Sequence, residues 1–254
     1  LNTFLGFRSG SNVTIGEENT YVGALAGFSN NGRFNVYIGK GSGFNGAGIY
    51  NTFTGWESGY NNNNSNNTFY GSASGRENTD GVANTYLGLA AGRDNVHGSY
   101  NVCVGWSTGI MSLGENSTSI GTAAGYYNND DNNTFLGYWT GSQHVLGHDN
   151  TFIGSMSQGG NSGLSITNSS SLGANTVVTA NNTMILGNNN VYVGIGLSGV
   201  NPPPGNNLEI NARNQSTGAV INDASGLRFR QLTSSSSPST PYTTNVLSVD
   251  NLGN

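Results

Sequence analysis

Few residues in this chain could do chemistry, and they lack the framing that chemistry needs. His144-Val145-Leu146-Gly147-His148-Asp149 places two imidazoles and a carboxylate within one short stretch. Zinc requires three or four ligands in a defined geometry, and this segment falls where spacing is least constrained. Asp130-Asp131, flanked by Asn128, Asn129, Asn132 and Asn133, supplies oxygen ligands of the kind calcium accepts. No EF-hand or Gly-Gly-x-Gly-x-Asp pattern frames it, so solvated loops are the expectation for both segments. Gly41-Ser42-Gly43-Phe44-Asn45-Gly46 and Gly194-Ile195-Gly196-Leu197-Ser198-Gly199 match G-x-G-x-x-G. A dinucleotide site also needs a helix whose N-terminus receives the pyrophosphate. Neither string precedes a plausible helix, and the second runs into Pro202-Pro203-Pro204. Cys103 has no His near it, and no Ser-His-Asp arrangement can be placed. The expectation is a non-enzyme with no metal and no cofactor.

Bulk composition points the same way. Gly numbers 40 of 254 residues, charged residues make up 8%, and the net charge is -5. Without a basic stripe there is no electrostatic footprint for nucleic acid. No segment approaches the roughly 18 to 20 apolar residues of a membrane span. A single cysteine excludes an intrachain disulfide. The chain opens inside a repeat at Leu1 and stops abruptly at Asn254, so it is expected to be part of a longer parent.

What organises the sequence is a phrase, Asn-Thr-aromatic-aliphatic-Gly followed by x-x-small-Gly, that returns every 16 to 17 residues from Asn2. It opens again at Asn19, Asn35, Asn51, Asn67, Asn84, Asn101, Ser117, Asn133 and Asn150, and Gln158 breaks the run of closing glycines. A fixed short period means stacked coils, and glycine this frequent opposes long helices. Alternation within the phrase predicts one strand per coil. Positions two and four, β-branched and aliphatic, are expected to face inward. Position three is expected to face outward as a ladder of Phe4, Tyr21, Tyr37, Phe53, Phe69, Tyr86, Phe135 and Phe152, buried between chains because monomers seldom expose long apolar stripes. Gly6, Gly23, Gly39, Gly55, Gly71, Gly88, Gly105, Gly121, Gly137 and Gly154 are expected at corners needing positive φ. The opening Asn is expected to cap free backbone groups or to stack as a ladder.

Ser117-Thr118-Ser119-Ile120-Gly121 resembles the head repeats of trimeric autotransporter adhesins, and Asn150 to Gly154 is similar to repeats of Bacteroidetes-type surface fibres and phage tail fibres. The resemblance spans residues 1 to about 196 and implies an all-β parallel β-roll or β-helix solenoid, assembled as a homotrimer outside the cell. The period here exceeds the usual adhesin coil. Three segments are expected: regular coils over 1–160, irregular terminal coils and a cap over 161–200, and a Pro/Ser-rich connector with short strands over 201–254.

The expected function is a structural, adhesive segment of a cell-surface fibre that binds glycans or matrix without covalent chemistry. A phage or injection-system tail fibre is the alternative, and a β-helix enzyme acting on polysaccharide the third. Tyr60, Tyr126, Tyr127, His144 and His148, in the loop sector, are the candidate ligand contacts. An ice-binding face would need a regular Thr-x-Thr array, and here Thr recurs at position two alone.

Overall fold

A computed structural model describes residues 1–142, 147–160 and 165–188, together with the backbone of two strands, Leu208–Glu209 and Arg228–Phe229. The chain divides into two units, Leu1–Asn188 and Asn189–Asn254. In the second, the two strands pair antiparallel; the expected strand near 245–250, the proline run and the second G-x-G-x-x-G string lie outside the described residues.

The first unit is a parallel β-solenoid of about 11 turns with coils of about 16 residues and no helix among its described residues. Each phrase contributes a three-residue strand, from Thr3–Leu5 and Thr20–Val22 through Thr151–Ile153, and these form one parallel sheet. The sheet continues past residue 160 through the altered coils Ser170–Leu172 and Met184–Leu186. Registers are unslipped: Thr52 pairs Thr68, Phe53 pairs Phe69, and Thr54 pairs Tyr70.

The direction of the strand faces corrects the sequence reading. Position three points inward, and Tyr21, Tyr37, Phe53, Phe69, Tyr86, Phe135 and Phe152 have no solvent exposure within a single chain. Only Phe4, in the first coil, is partly exposed. The rings from Phe4 to Tyr86 stack face to face, with centroids 5.0 Å apart at Phe4–Tyr21 and 4.7 Å apart at Phe69–Tyr86. Positions two and four line the outside. An unpaired threonine hydroxyl buried inside would cost several kcal/mol, on the order of 2–7, whereas outside it meets water at no cost. The aromatic ladder is therefore an intrachain core, and it gives no reason for a partner chain.

Glycine makes room for that core. A Cβ on the closing glycine Gly75 would lie 2.3 Å from Phe69 Cε2, and one on Gly92 would lie 2.4 Å from Tyr86 Cε2. Each ring from Phe4 to Phe135 thus packs against the glycine that ends its own phrase. The corner glycines do a different job. Gly6, Gly23, Gly39, Gly55, Gly71, Gly88, Gly105, Gly121, Gly137 and Gly154 all have positive φ, as expected, between 125° and 142°.

A second ladder runs beside the rings. The Asn19 backbone N–H donates to Asn2 Oδ1 at 2.9 Å, Asn35 N–H to Asn19 Oδ1 at 2.9 Å, and Asn51 N–H to Asn35 Oδ1 at 2.8 Å. Each amide also donates across its coil, as Asn35 Nδ2 does to the Gly48 carbonyl at 2.9 Å. Ser117 continues the column with its hydroxyl, accepting from Asn133 N–H at 3.1 Å. Beyond the exposed Asn2 these side chains are buried, and the ladder satisfies groups whose desolvation would otherwise be costly.

A second buried asparagine sits nine residues after the ring in several coils. Asn95 Nδ2 donates to Tyr86 Oη at 2.5 Å, and Asn30 bonds the hydroxyls of Tyr21 and Tyr37. Asn62 stands at the same offset from Phe53, which has no hydroxyl, and neither atom of its amide has a partner. Phe53→Tyr is expected to raise stability by about 1 kcal/mol by supplying that partner, read as a higher melting temperature. An unchanged or lower value would show that Asn62 is satisfied by other means.

Candidate functional site

The residues singled out for chemistry are dispersed. His148 Nδ1 lies 2.7 Å from Asp149 Oδ2 on an exposed surface, and His144 lies outside the described residues. The Asp130 carboxylate accepts a hydrogen bond from Gly147 N–H, and Asp131 accepts one from Glu115 N–H at 2.8 Å. Both acids thus cap backbone of adjoining coils. Among the described residues no group of three His, Cys, Asp or Glu side chains could hold a metal ion. Gly41 to Gly46 turns a corner and enters a short strand, with no helix after it. Cys103 takes a ring's place inside the coil, where burial pushes its thiol up to about 12, far from the thiolate that reactivity requires.

Of the aromatic loop candidates, Tyr60 is not free to stack on a ligand. Its ring lies against Phe44 at 4.7 Å, 4° from parallel, and the Arg76 guanidinium covers it at 5.4 Å. Phe44 in turn stacks on Phe28, over which Arg8 lies at 4.8 Å. This second aromatic column presents ring edges outward, so its faces are closed to a sugar. Tyr126 and Tyr127 meet edge to face at 4.6 Å, both half-buried.

Two surfaces that the sequence reading did not single out stand out instead. The first is the outer face of the long sheet, where position four leaves Leu5, Ile38, Leu87, Ile120, Leu136, Leu172 and Leu186 exposed. No charged side chain occupies position two or four in any of the sheet's strands. Thr-x-Thr occurs there at Thr52–Thr54 alone among the described strands, so the face is not a regular hydroxyl array. The second is a cleft of about 180 Å³ at a coil corner near the end of the stack, lined by Trp139, Ser142, Met156, Gln158, Asn175 and Val177. The departure of Gln158 from the closing glycine was the signal in the sequence that this corner differs.

Compared with known proteins, the chain matches no family model, no curated protein and no solved structure. Among the described residues no helix is long and apolar enough to cross a membrane.

Proposed function

We propose that this chain is a structural, adhesive segment of an extracellular fibre, assembled as a homotrimer through the outer face of its long sheet. The observation that carries this reading is the uncharged, mostly aliphatic row from Leu5 to Leu186, interrupted by Thr54 and Tyr70 and half-buried at Val22, Val104 and Ile153, that runs along the solenoid's long sheet. Monomeric proteins seldom expose contiguous apolar patches beyond a few hundred Å², and larger ones mark contact surfaces. The row follows one sheet from end to end, so contact with a second copy extends with every coil. Mechanical durability follows from backbone ladders that close each coil on the next, and adhesion is non-covalent.

Assembly is measured by light scattering after size exclusion. The native chain is expected at three times its 26.4 kDa mass. Leu87→Lys combined with Leu136→Lys is expected to give a folded monomer, because a charge desolvated without a partner costs several kcal/mol. A native monomer at micromolar concentration, or a double variant that stays trimeric, overturns the assembly.

A further inference from the structure

We propose that the corner cleft lined by Trp139, Ser142, Met156, Gln158, Asn175 and Val177 is a binding site for a neutral saccharide. This rests on the adhesive reading above and gives it a place on the molecule.

The cleft exists because the repeat fails there. Trp139, Met156 and Asn175 occupy one column of three successive coils, each with positive φ, at 53°, 56° and 54°. Their N–H groups donate to the carbonyls of Thr122, Tyr138 and Ser155, which holds the column in register. In regular coils the next corner is a left-handed glycine packed on the ring, as Gly141 still is, with φ 57°. One coil later Gln158 stands there in a strand, Gln158–Gly159, paired with Val177–Val178. The ring core loosens at the same level: Phe135 and Phe152 are 5.7 Å apart and tilted by 42°. A side chain now rises where a glycine had kept the corner flat, and a hollow opens between it and the Trp139 column.

The lining fits a sugar for three reasons. First, Trp139 is 43% exposed, and among the described residues the ring near it, Tyr138, lies 6.2 Å away at 58°, so no described ring stacks flat on the indole. An open indole face is the complement of the C–H face of a pyranose. Second, the half-buried amide of Gln158 and the exposed amide of Asn175 border the cleft beside the nearly buried Ser142. They offer both donors and acceptors, which sugar hydroxyls require together. Third, among the described residues no lining side chain is ionisable. A phosphate, a carboxylate or an ammonium group would meet no counter-charge from these side chains, which favours a neutral ligand.

The test uses the full chain with neutral cello-, chito- and manno-oligosaccharides as probes. In a Trp56→Phe, Trp106→Phe background, Trp139 is the only indole of the three, and its emission is expected to change saturably with one of these probes. Trp139→Ala should weaken binding of that probe, followed by saturation-transfer NMR, by at least about tenfold, as loss of a stacked anchor does. Gln158→Ala and Asn175→Ala should each weaken it several-fold, and Trp56→Ala should leave it unchanged. Melting temperature checks that each variant is folded; Ala73 and Ala90 already hold positive φ in the same column. No saturable binding of any probe at millimolar concentration, or binding that survives Trp139→Ala, overturns the site. Attachment to cells, measured in parallel, separates the two proposals. A fibre that attaches to cells while no probe binds through Trp139 keeps its adhesive role and loses this cleft. A chain that binds sugar through Trp139 without attaching keeps the cleft and loses the adhesive role.

Discussion

Gly88→Val is expected to abolish folding, or to remove more than about 3 kcal/mol of stability if any folded state survives. Two independent costs combine. Gly88 has φ 138°, a region β-branched residues scarcely enter, and strain of that kind costs about 1–3 kcal/mol by itself. A Cβ there would also lie 2.3 Å from the Gly105 carbonyl oxygen of the next coil. That oxygen is backbone, and moving it parts the two coils. Gly105→Val meets the Gly121 carbonyl oxygen at 2.7 Å and should behave alike. Gly41 is the control. Its φ of 66° is shared by column neighbours that are not glycine, Leu25 at 61° and Glu57 at 51°, and the nearest atom to an added Cβ is Glu57 Cγ at 3.4 Å. Gly41→Ala should therefore stay within about 1 kcal/mol of the native chain. Circular dichroism melts on the three variants decide it; equal melting for Gly88→Val and Gly41→Ala would remove the corner account.

The second large effect is alkaline unfolding. Burial pushes the phenols of Tyr21, Tyr37 and Tyr86 well above their ordinary value of 10.0, and the Cys103 thiol from 9.0 to about 12. Coulombic repulsion from Tyr21 adds to the rise at Tyr37. A raised folded-state value means that the neutral form is the one the fold holds. Its contribution is complete below the unfolded-state value and is lost as pH rises beyond it, because only the unfolded chain then ionises freely. The loss begins near pH 9 with Cys103 and steepens above pH 10 as the three tyrosines join, each group adding a slope of about 1.4 kcal/mol per pH unit. Cooperative unfolding between about pH 10 and 12 is the expected result, since four such groups rival the whole stability of a typical domain. Tyr37→Phe with Tyr86→Phe should lower stability at neutral pH, through lost hydrogen bonds to Asn30 and Asn95, yet flatten the alkaline slope. Tyrosinate absorbance that develops fully while the circular dichroism is unchanged would contradict it.

The first prediction falls on residues the sequence picked out directly, and the second on residues it placed on the wrong side of the strand. The buried tyrosines show how the difference arises. A strand's alternation states which residues share a face but not which face is the interior, since both halves of Thr-Phe-Leu look apolar enough to be core. The opposite wall decides it. Gly75 lacks the carbon that would strike Phe69, so each coil has room for one ring. The candidate contacts suffered in the same way. Tyr60 looked available until Phe44 and Arg76, one coil away on either side, were seen to cover it.

The sequence by itself determined the period, the parallel one-strand coil, the corner glycines and the asparagine column. Each of these is a local demand on backbone conformation or hydrogen bonding, repeated at a fixed interval, and Asn19 or Gly88 answers it wherever the rest of the coil lies. Only the tertiary structure decided three further things. It turned the aromatic ladder inward, left the aliphatic row outside, and placed Trp139 beside Gln158 and Asn175. It also put ordinary residues such as Leu25, Tyr50 and Trp139 into left-handed conformations that their types do not announce. Their N–H groups bond the coil beneath, as Leu25 does to Phe7 and Tyr50 to Arg33, and this offsets the roughly 1–2 kcal/mol that the conformation costs. These outcomes depend on what lies one coil below and across the interior, and that distance in space is fixed by the stacking, not by any residue's neighbours in the chain.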